Sequence, residues 1–430
     1  MKPQTLSLMG MPYFPGIAVG TLHKGINRVA TDCIALISQD EIKTISNLPA
    51  GFIVIEGAPF SHTLISLLAH AVPTILISQQ QARELREGMG VLIDGVTGEI
   101  TDQYDLDSVA HQKLPSLTAG TEVLTADNVE VRLCASVRNI TAAQRAVSVG
   151  AKAIGLIRTE FIVPVDNRIP DLAYYSNSFR ELCSAASPLS LTFRLLDLSA
   201  DKIPPWLPEE ALGGELGLQG VRLYGMDPVS GVVNAQLAAI SELTNDFNLS
   251  ILVPYLVRYE ELNYWIEQIQ QQLPPSVPIG AMAETPASAL DIDNWLTAAD
   301  FVAIGCNDLM QCLFAANRDH SDLRYYLDPY APFLFRFFRQ VAQAAGDQLD
   351  RVQLCGLLSQ IPGVIPILLG LGYRTFTVDS AFIPYLALTV KTTRTTDAQA
   401  IAAQVCAAKE SREVLEILQL PRKEHMPFLM

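Results

Sequence analysis

The sequence predicts an α/β protein in which a small domain precedes a (β/α)8 barrel of the TIM type. Eight apolar, strand-like runs recur between residues 131 and 378, separated by amphipathic stretches with helical spacing. Eight such units over roughly 250 residues are typical of this barrel. Upstream, short apolar runs punctuated by Gly and Pro predict a smaller β/β/α domain. We expect the small domain at 1–104, a linker and hairpin at 105–129, the barrel at 130–415 and a C-terminal tail at 416–430.

The small domain contains five predicted strands, the last followed by a Gly-rich turn at 95–98. These strands are Ile17–Leu22, Cys33–Ser38, Phe52–Ile55, Pro73–Ser78 and Val91–Asp94.

His62 follows the third of these strands, after a tight Gly/Pro loop. Ser61 is a good N-cap, so His62 is predicted in the first turn of a helix. The free N–H groups and positive dipole end of that turn favour an anion, such as a phosphoryl group carried on the imidazole. A surface histidine that happens to begin a helix is the simpler interpretation when His62 is considered alone.

The segment that joins the two domains has a different composition. A short polar helix is predicted at 102–112 and a Pro/Ser/Thr/Gly linker at 114–120. A hairpin at 123–131 leads into the barrel.

The barrel strands are predicted from their apolar runs and the helices from the amphipathic pattern between them. The strands are Val131–Ser136, Ala153–Ile157, Leu191–Leu196, Ser250–Pro254, Ile279–Ala283, Phe301–Gly305, Val352–Cys355 and Thr375–Val378. The clearest helices are Ala142–Val149, Tyr259–Gln272 and Tyr330–Ala345, and the 213–248 region is long enough for further helices.

Composition excludes several classes of protein. A net charge of −15 disfavours nucleic acids and anionic membranes as partners. Seven cysteines without CxxC spacing argue against a disulfide framework and a zinc site, and fit reduced thiols. No signal peptide is recognisable and no apolar stretch reaches the ~18 residues of a membrane span, so we expect a soluble cytoplasmic protein.

Polar side chains collect where the predicted barrel strands end. Because the carboxyl ends of parallel barrel strands share one face, these side chains are expected to converge there. They are Arg158, Arg194, Glu284, Asn307, Asp308 and Cys355, with Arg318 shortly after the sixth strand.

This set indicates a small phosphorylated and carboxylated substrate with enolate chemistry. Arginines bind phosphate or carboxylate, and the carboxylates of Glu284 and Asp308 suit one Mg²⁺. Cys355 could exchange a proton with an enolate carbon. Taken singly, each residue could instead be structural: an ion pair for Arg158 with Glu160, a helix cap for Glu284 or Asp308, a buried apolar residue for Cys355. Those interpretations do not predict clustering at one face.

Four segments carry a family resemblance. They are Ser61–Thr63, Ile154–Phe161, Met282–Pro286 and Ile304–Leu309. With them the chain resembles the phosphoenolpyruvate (PEP)-utilising enzymes, most closely Enzyme I of the bacterial sugar phosphotransferase system.

The resemblance implies a role for each candidate residue. His62 would carry the phosphoryl group on a swivelling domain, and Arg158, Arg194 and Arg318 would bind phosphate. Asn307 would contact the substrate carboxylate, Glu284 and Asp308 would bind Mg²⁺, and Cys355 would protonate the enolate. Dimers formed through the barrel are usual in the family, so a homodimer is expected.

The chain also departs from the family pattern. The helical module that binds the small phosphocarrier protein is missing, because Lys24 is followed almost directly by Cys33. Phe60, Leu67, Leu68, Gln219 and Leu357 replace usual family residues; the pair Leu67-Leu68 removes a charge near His62.

Three functions follow from this comparison. The first is a Mg²⁺-assisted phosphotransferase that moves the phosphoryl group of PEP to His62, giving pyruvate, and then to an unknown acceptor. A small phosphocarrier protein or a separate carrier-binding subunit would be a possible partner. The second is a regulatory protein that binds PEP or pyruvate with little turnover. The third is a Mg²⁺-dependent lyase acting through a pyruvate enolate, against which the His62 domain argues.

Overall fold

The computed structural model describes two sheets, each with its own helices. The residues described are 6–26, 30–104, 114–164, 166–199, 203–208, 214 and 216–420.

The first sheet has eight strands in the order β1-β8-β7-β3-β4-β5-β6-β2. Strands β3 to β6 are parallel to one another, and the others are antiparallel to their neighbours. The strands are β1 (Ser7–Met9), β2 (Met11–Phe14), β3 (Ile17–Lys24), β4 (Cys33–Ser38), β5 (Gly51–Ile55), β6 (Thr74–Ile77), β7 (Gly90–Asp94) and β8 (Glu99–Thr101).

The small domain's helices are α1 (His62–Leu67) and α2 (Gln79–Ala82). Both begin after a serine whose hydroxyl accepts a backbone N–H of the first turn, as the Ser61 cap predicted. Strands β3 and β4 pair directly, and only residues 25–32 connect them.

The second sheet closes into a barrel of eight parallel strands, because β10 pairs with both β11 and β17. The predicted fold class is therefore confirmed. Strand β9 (Val123–Leu124) forms the predicted hairpin with β10. The barrel strands are β10 (Glu130–Val137), β11 (Ile154–Arg158), β12 (Leu191–Arg194), β13 (Leu249–Leu256), β14 (Ile279–Ala283), β15 (Phe301–Gly305), β16 (Val352–Cys355) and β17 (Thr375–Asp379).

Helices surround the barrel. They are α3 (Ile140–Ser148), α4 (Leu172–Ala186), α5 (Val229–Leu243), α6 (Tyr259–Gln270), α7 (Pro286–Leu290), α8 (Ile292–Ala298), α9 (Cys306–Phe314), α10 (Pro332–Ala345), α11 (Val364–Gly370), α12 (Ile383–Thr392), α13 (Thr395–Ala407) and α14 (Ser411–Ile417). Helix α10 begins at Pro332 rather than Tyr330, since proline is favoured at the first helical position. Helix α5 lies in the 213–248 region, where further helices were expected.

The barrel core is aromatic and aliphatic. Phe179 of α4 packs on Phe193 of β12 with ring centroids 4.6 Å apart, and Trp295 of α8 is fully buried. One hydrophobic cluster continues from the barrel into the small domain, and Phe14 meets Phe382 edge to face with centroids 5.4 Å apart. The small domain is thus docked on the barrel through apolar contacts.

Two predicted segments lie partly or wholly outside the described residues. The polar helix at 102–112 falls mostly on residues 105–113, and the end of the C-terminal tail falls on 421–430. Within the described part, none of the helices combines the length and hydropathy that crossing a membrane requires.

Candidate active site

A cavity of about 190 Å³ opens at the carboxyl ends of the barrel strands and is covered by the small domain. The structure places all eight predicted site residues in its lining. They are His62, Arg158, Arg194, Glu284, Asn307, Asp308, Arg318 and Cys355.

Arg194 is a deeply buried cation of this cavity, with 4% of its surface exposed. Its Nη2 lies 2.5 Å from Oε1 of Glu160 and 2.8 Å from Oδ2 of Asp197, and its Nη1 lies 3.9 Å from Oε1 of Glu284. Burial acts to lower the pKa of Arg194, but these carboxylates outweigh burial and raise it. The guanidinium therefore stays charged inside the barrel.

Glu160 orients two arginines. Its Oε1 also accepts a hydrogen bond from Nε of Arg158 at 3.1 Å. The ion pair that the sequence allowed for Arg158 and Glu160 is thus present, and Arg158 still lines the cavity. The guanidinium of Arg158 is stacked over Phe161, 4.6 Å from the ring centroid.

Glu284 is held by the backbone of β13. Its Oε2 accepts from the N–H of Tyr255 at 2.9 Å, and Tyr255 has a left-handed φ of 51° within an irregular stretch of that strand. Burial, and then the nearby Asp197 and Asp308, raise the pKa of Glu284 to about 8. Carboxylates crowded in this way favour a bound cation, because a cation offsets their repulsion.

The donor set fits a hard divalent ion that keeps other ligands. Glu284 and Asp308 are both oxygen donors; Glu284 directly follows β14, and Asp308 lies in the first turn of α9. Among the residues that the structure describes, no group of three or more His, Cys, Asp or Glu side chains forms a closed metal site. Mg²⁺ is usually bound in this manner, by one or two carboxylates with water and substrate oxygens.

Asn307 is fixed by the turn that follows β16. Its Oδ1 accepts a hydrogen bond from the N–H of Leu357 at 3.0 Å, and Gly356, which directly precedes Leu357, has a φ of 113°. A Cβ at position 356 would lie 2.8 Å from that Oδ1, so a side chain there would displace Asn307. The amide nitrogen is then the end of Asn307 that can donate to a ligand.

Cys355 ends β16 with 1% of its surface exposed. Burial raises the pKa of its thiol to about 12, although a hydrogen bond with Thr377 acts to lower it. The side chain is therefore a protonated thiol at neutral pH, which suits a proton donor.

His62 reaches the cavity from the small domain. Its Nε2 lies 2.5 Å from Nη2 of Arg318, and the same Nη2 lies 3.1 Å from Oδ1 of Asp308. On the other side of the ring, Nδ1 lies 2.7 Å from Oδ2 of Asp319. One arginine thus connects the imidazole to the acidic side of the cavity.

Sequence reasoning missed part of the cavity. Asp319 was not assigned a role, although it directly follows Arg318 in the loop after α9. Arg138 and Arg145 also line the cavity, near Asp379. Arg138 directly follows β10. Polar residues at the carboxyl ends of barrel strands were the ones expected at the site, so the same criterion applied to β10 would have identified Arg138.

The chain is similar to proteins of known family. The model for the PEP-binding domain of PEP-utilising enzymes matches residues 115–395. Proteins named phosphoenolpyruvate-protein phosphotransferase from Haloferax volcanii and Buchnera aphidicola are each 28% identical, and each alignment covers 86% of this chain and 68% of the relative. Multiphosphoryl transfer protein 1 of Escherichia coli K12 is 25% identical over 88% of this chain and 48% of its own length.

Proposed function

Because the chain belongs to the PEP-utilising enzymes, as its motifs predicted, we propose that it transfers the phosphoryl group of PEP to His62 and releases pyruvate. The observation that carries the proposal is the position of His62. An imidazole from the small domain lies in the same cavity as the three predicted arginines, the two predicted carboxylates and the thiol of the barrel. A regulatory protein without turnover would not require that placement.

The arginines account for substrate binding in this proposal. PEP carries a phosphate and a carboxylate, and Arg158, Arg194 and Arg318 supply three permanent positive charges. The net charge of −15 makes such a local cationic cluster necessary, since the protein as a whole repels anions. Asn307 would donate its amide N–H to the carboxylate.

Glu284 and Asp308 would hold Mg²⁺, which would neutralise charge on the phosphate oxygens when bound. Arg194 and the Tyr255 N–H keep the Glu284 carboxylate in place.

The transfer itself is an in-line displacement. Nε2 of His62 forms a bond to phosphorus while the bond from phosphorus to the enol oxygen breaks, and the electron pair stays on the enolate. The arginines stabilise the charge that spreads over the phosphoryl oxygens. The Cys355 thiol then gives its proton to the enolate carbon, which yields pyruvate, and the thiolate regains a proton from water.

Labelled PEP tests this function directly. PEP carrying ³²P in its phosphate should leave an acid-labile, base-stable phosphate on the protein in the presence of Mg²⁺, and His62→Ala should abolish it. His23→Ala is a matched control, because His23 pairs with Glu87 on the small domain, outside the cavity lining. Equal labelling of His62→Ala and the parent would exclude the mechanism.

Two other outcomes would support the alternatives. Calorimetry that detects Mg²⁺-dependent PEP binding, without labelling or pyruvate, would favour a regulatory protein. Pyruvate release that is independent of His62 would favour an enolate lyase.

The acceptor and the assembly are part of the same proposal. The eight residues 25–32 stand where the family inserts its carrier-binding module, so a small phosphocarrier protein would need another docking surface or a separate subunit. Incubating the labelled protein with candidate carriers tests the acceptor. Sedimentation tests the expected homodimer.

A further inference from the structure

One carboxylate of the barrel makes two contacts with His62 of the small domain. Oδ1 of Asp319 accepts from the backbone N–H of His62 at 2.8 Å, and Oδ2 lies 2.7 Å from the ring Nδ1. Both residues are partly buried in this contact. The two residues lie on different domains, 257 positions apart in the sequence, so the contact forms only when the small domain is docked on the barrel.

The partners on the two ring nitrogens determine where the proton of a neutral imidazole lies. Arg318 can only donate, so Nε2, at 2.5 Å from its Nη2, must accept. Asp319 can only accept when ionised, so Nδ1 must carry the proton. The docked arrangement therefore selects the Nδ1–H tautomer, with the lone pair of Nε2 directed at the cavity side.

We propose that Asp319 is a positioning residue that makes His62 a competent nucleophile only in the docked state, by fixing both the ring tautomer and the backbone of the first helical turn. This inference rests on the proposed phosphoryl transfer. It adds a residue for which the sequence suggested no role.

The carboxylate also has a role during transfer. As Nε2 bonds to phosphorus the ring gains positive charge while Nδ1 keeps its proton, and Asp319 offsets that charge. Burial acts to raise the pKa of Asp319, but the hydrogen bonds from the ring and the backbone of His62 outweigh burial and lower it. Asp319 is therefore ionised at neutral pH.

Asp319→Asn tests the proposal with nearly unchanged shape. The amide can still accept from the His62 backbone N–H, but its NH₂ would donate to Nδ1 and force the proton onto Nε2, facing Arg318. We expect the rate of His62 phosphorylation to fall roughly 10- to 100-fold, by analogy with metal-ligating histidines that lose their orienting partner. KM for PEP should change little, because Asp319 does not line the cavity. Asp322→Asn, an exposed carboxylate in the same loop, is the control for lost charge.

The tautomer is measured independently of turnover by ¹⁵N NMR of histidine-labelled protein. The parent should show the Nδ1–H form of His62 and Asp319→Asn the Nε2–H form, with His62→Gln used to assign the signal. An Nε2–H form in the parent, or an unchanged tautomer and rate in Asp319→Asn, would overturn the proposal. A parent with the Nδ1–H form that is not labelled by PEP would instead refute the proposed function and leave the positioning contact intact.

Discussion

Glu284 and Gly305 lie against each other at the carboxyl ends of neighbouring barrel strands, so closely that a Cβ at position 305 would lie 2.6 Å from Cγ and 2.7 Å from Oε1 of Glu284. Gly305 has an ordinary φ of −81°, so glycine is required here for space rather than for backbone conformation. The missing side chain is what allows the Glu284 carboxylate to lie beside α9 and Asp308.

Gly305→Ala should therefore impair catalysis. The methyl group would push Glu284 away from Arg194 and Asp308, and a displacement of about 1 Å in a catalytic group can cost on the order of 10²-fold in rate. Initial rates of ³²P labelling at saturating PEP and varied Mg²⁺ measure the effect. Gly225→Ala is the matched control, because a Cβ there meets no atom within 4 Å. Parental labelling of Gly305→Ala would show that Glu284 is not part of the machinery.

Arg194→Met should destabilise the barrel as well as abolish PEP binding. The guanidinium is shared by Glu160 and Asp197, both buried, and removing one partner of a buried ion pair typically costs about 3–5 kcal/mol. Urea unfolding followed by tryptophan fluorescence gives the free energy of unfolding. Arg180→Met removes a half-exposed pair with Asp246 and should cost at most about 1 kcal/mol. Similar costs for the two variants would contradict the structural role of Arg194.

Cys355→Ala should slow pyruvate formation while leaving PEP affinity nearly intact. Loss of a positioned proton donor typically costs about 10²- to 10⁴-fold. A lactate dehydrogenase-coupled assay measures pyruvate, and calorimetry measures PEP binding. Cys306→Ala removes a thiol that is also fully buried but lies outside the cavity lining, and should retain the parental rate.

The same thiol predicts a pH profile. Burial raises the pKa of Cys355 to about 12, so the thiol stays protonated well below that value. Its deprotonation should therefore cause no loss of rate between pH 7 and pH 9, both of which lie below the pKa of about 12.

The barrel could be predicted because its strands are buried on both faces and read as continuous apolar runs. Strand β14 is buried at every position, and its predicted and observed ends coincide at Ile279 and Ala283. The strands β1, β2 and β8, which were not predicted, have three or four residues each, too few for an alternation of apolar and polar residues to be recognised. Strands β1 and β2 pair with distant segments of the sheet, β8 and β6 respectively, whereas β8 also forms a hairpin with β7 across the turn at 95–98.

The candidate site divides in the same way. Arg158, Glu284 and Cys355 could be predicted to meet because a parallel barrel brings its strand ends together whatever the loops do. The contact of Asp319 with His62 could not be predicted, because His62 is on another domain and the docking of two domains follows from tertiary packing. Local sequence signals correctly predicted Ser61 as the N-cap of the helix that begins at His62, but they contain nothing about the carboxylate that the ring contacts.

Asp127→Asn should weaken the protein in a pH-dependent manner. Asp127, in the turn between β9 and β10, accepts hydrogen bonds from the N–H and Oγ1 of Thr395 at the start of α13, and from Oγ1 of Thr125. The Thr395 hydroxyl first, and then the Thr125 hydroxyl, lower the pKa of Asp127 to about 2.

The pH dependence follows from the difference between the folded and the unfolded pKa of Asp127. An unfolded aspartate titrates near pH ~3.9. Because the folded pKa is the lower one, the stabilisation is complete above the unfolded pKa and is lost as the pH falls towards about 2. The gap in urea midpoint between parent and Asp127→Asn should be largest near neutral pH and shrink below about pH 4. Asp347→Asn, an exposed carboxylate, should show no such trend. A gap that stays constant across this pH range would mean that the charge of Asp127 does not hold the start of α13.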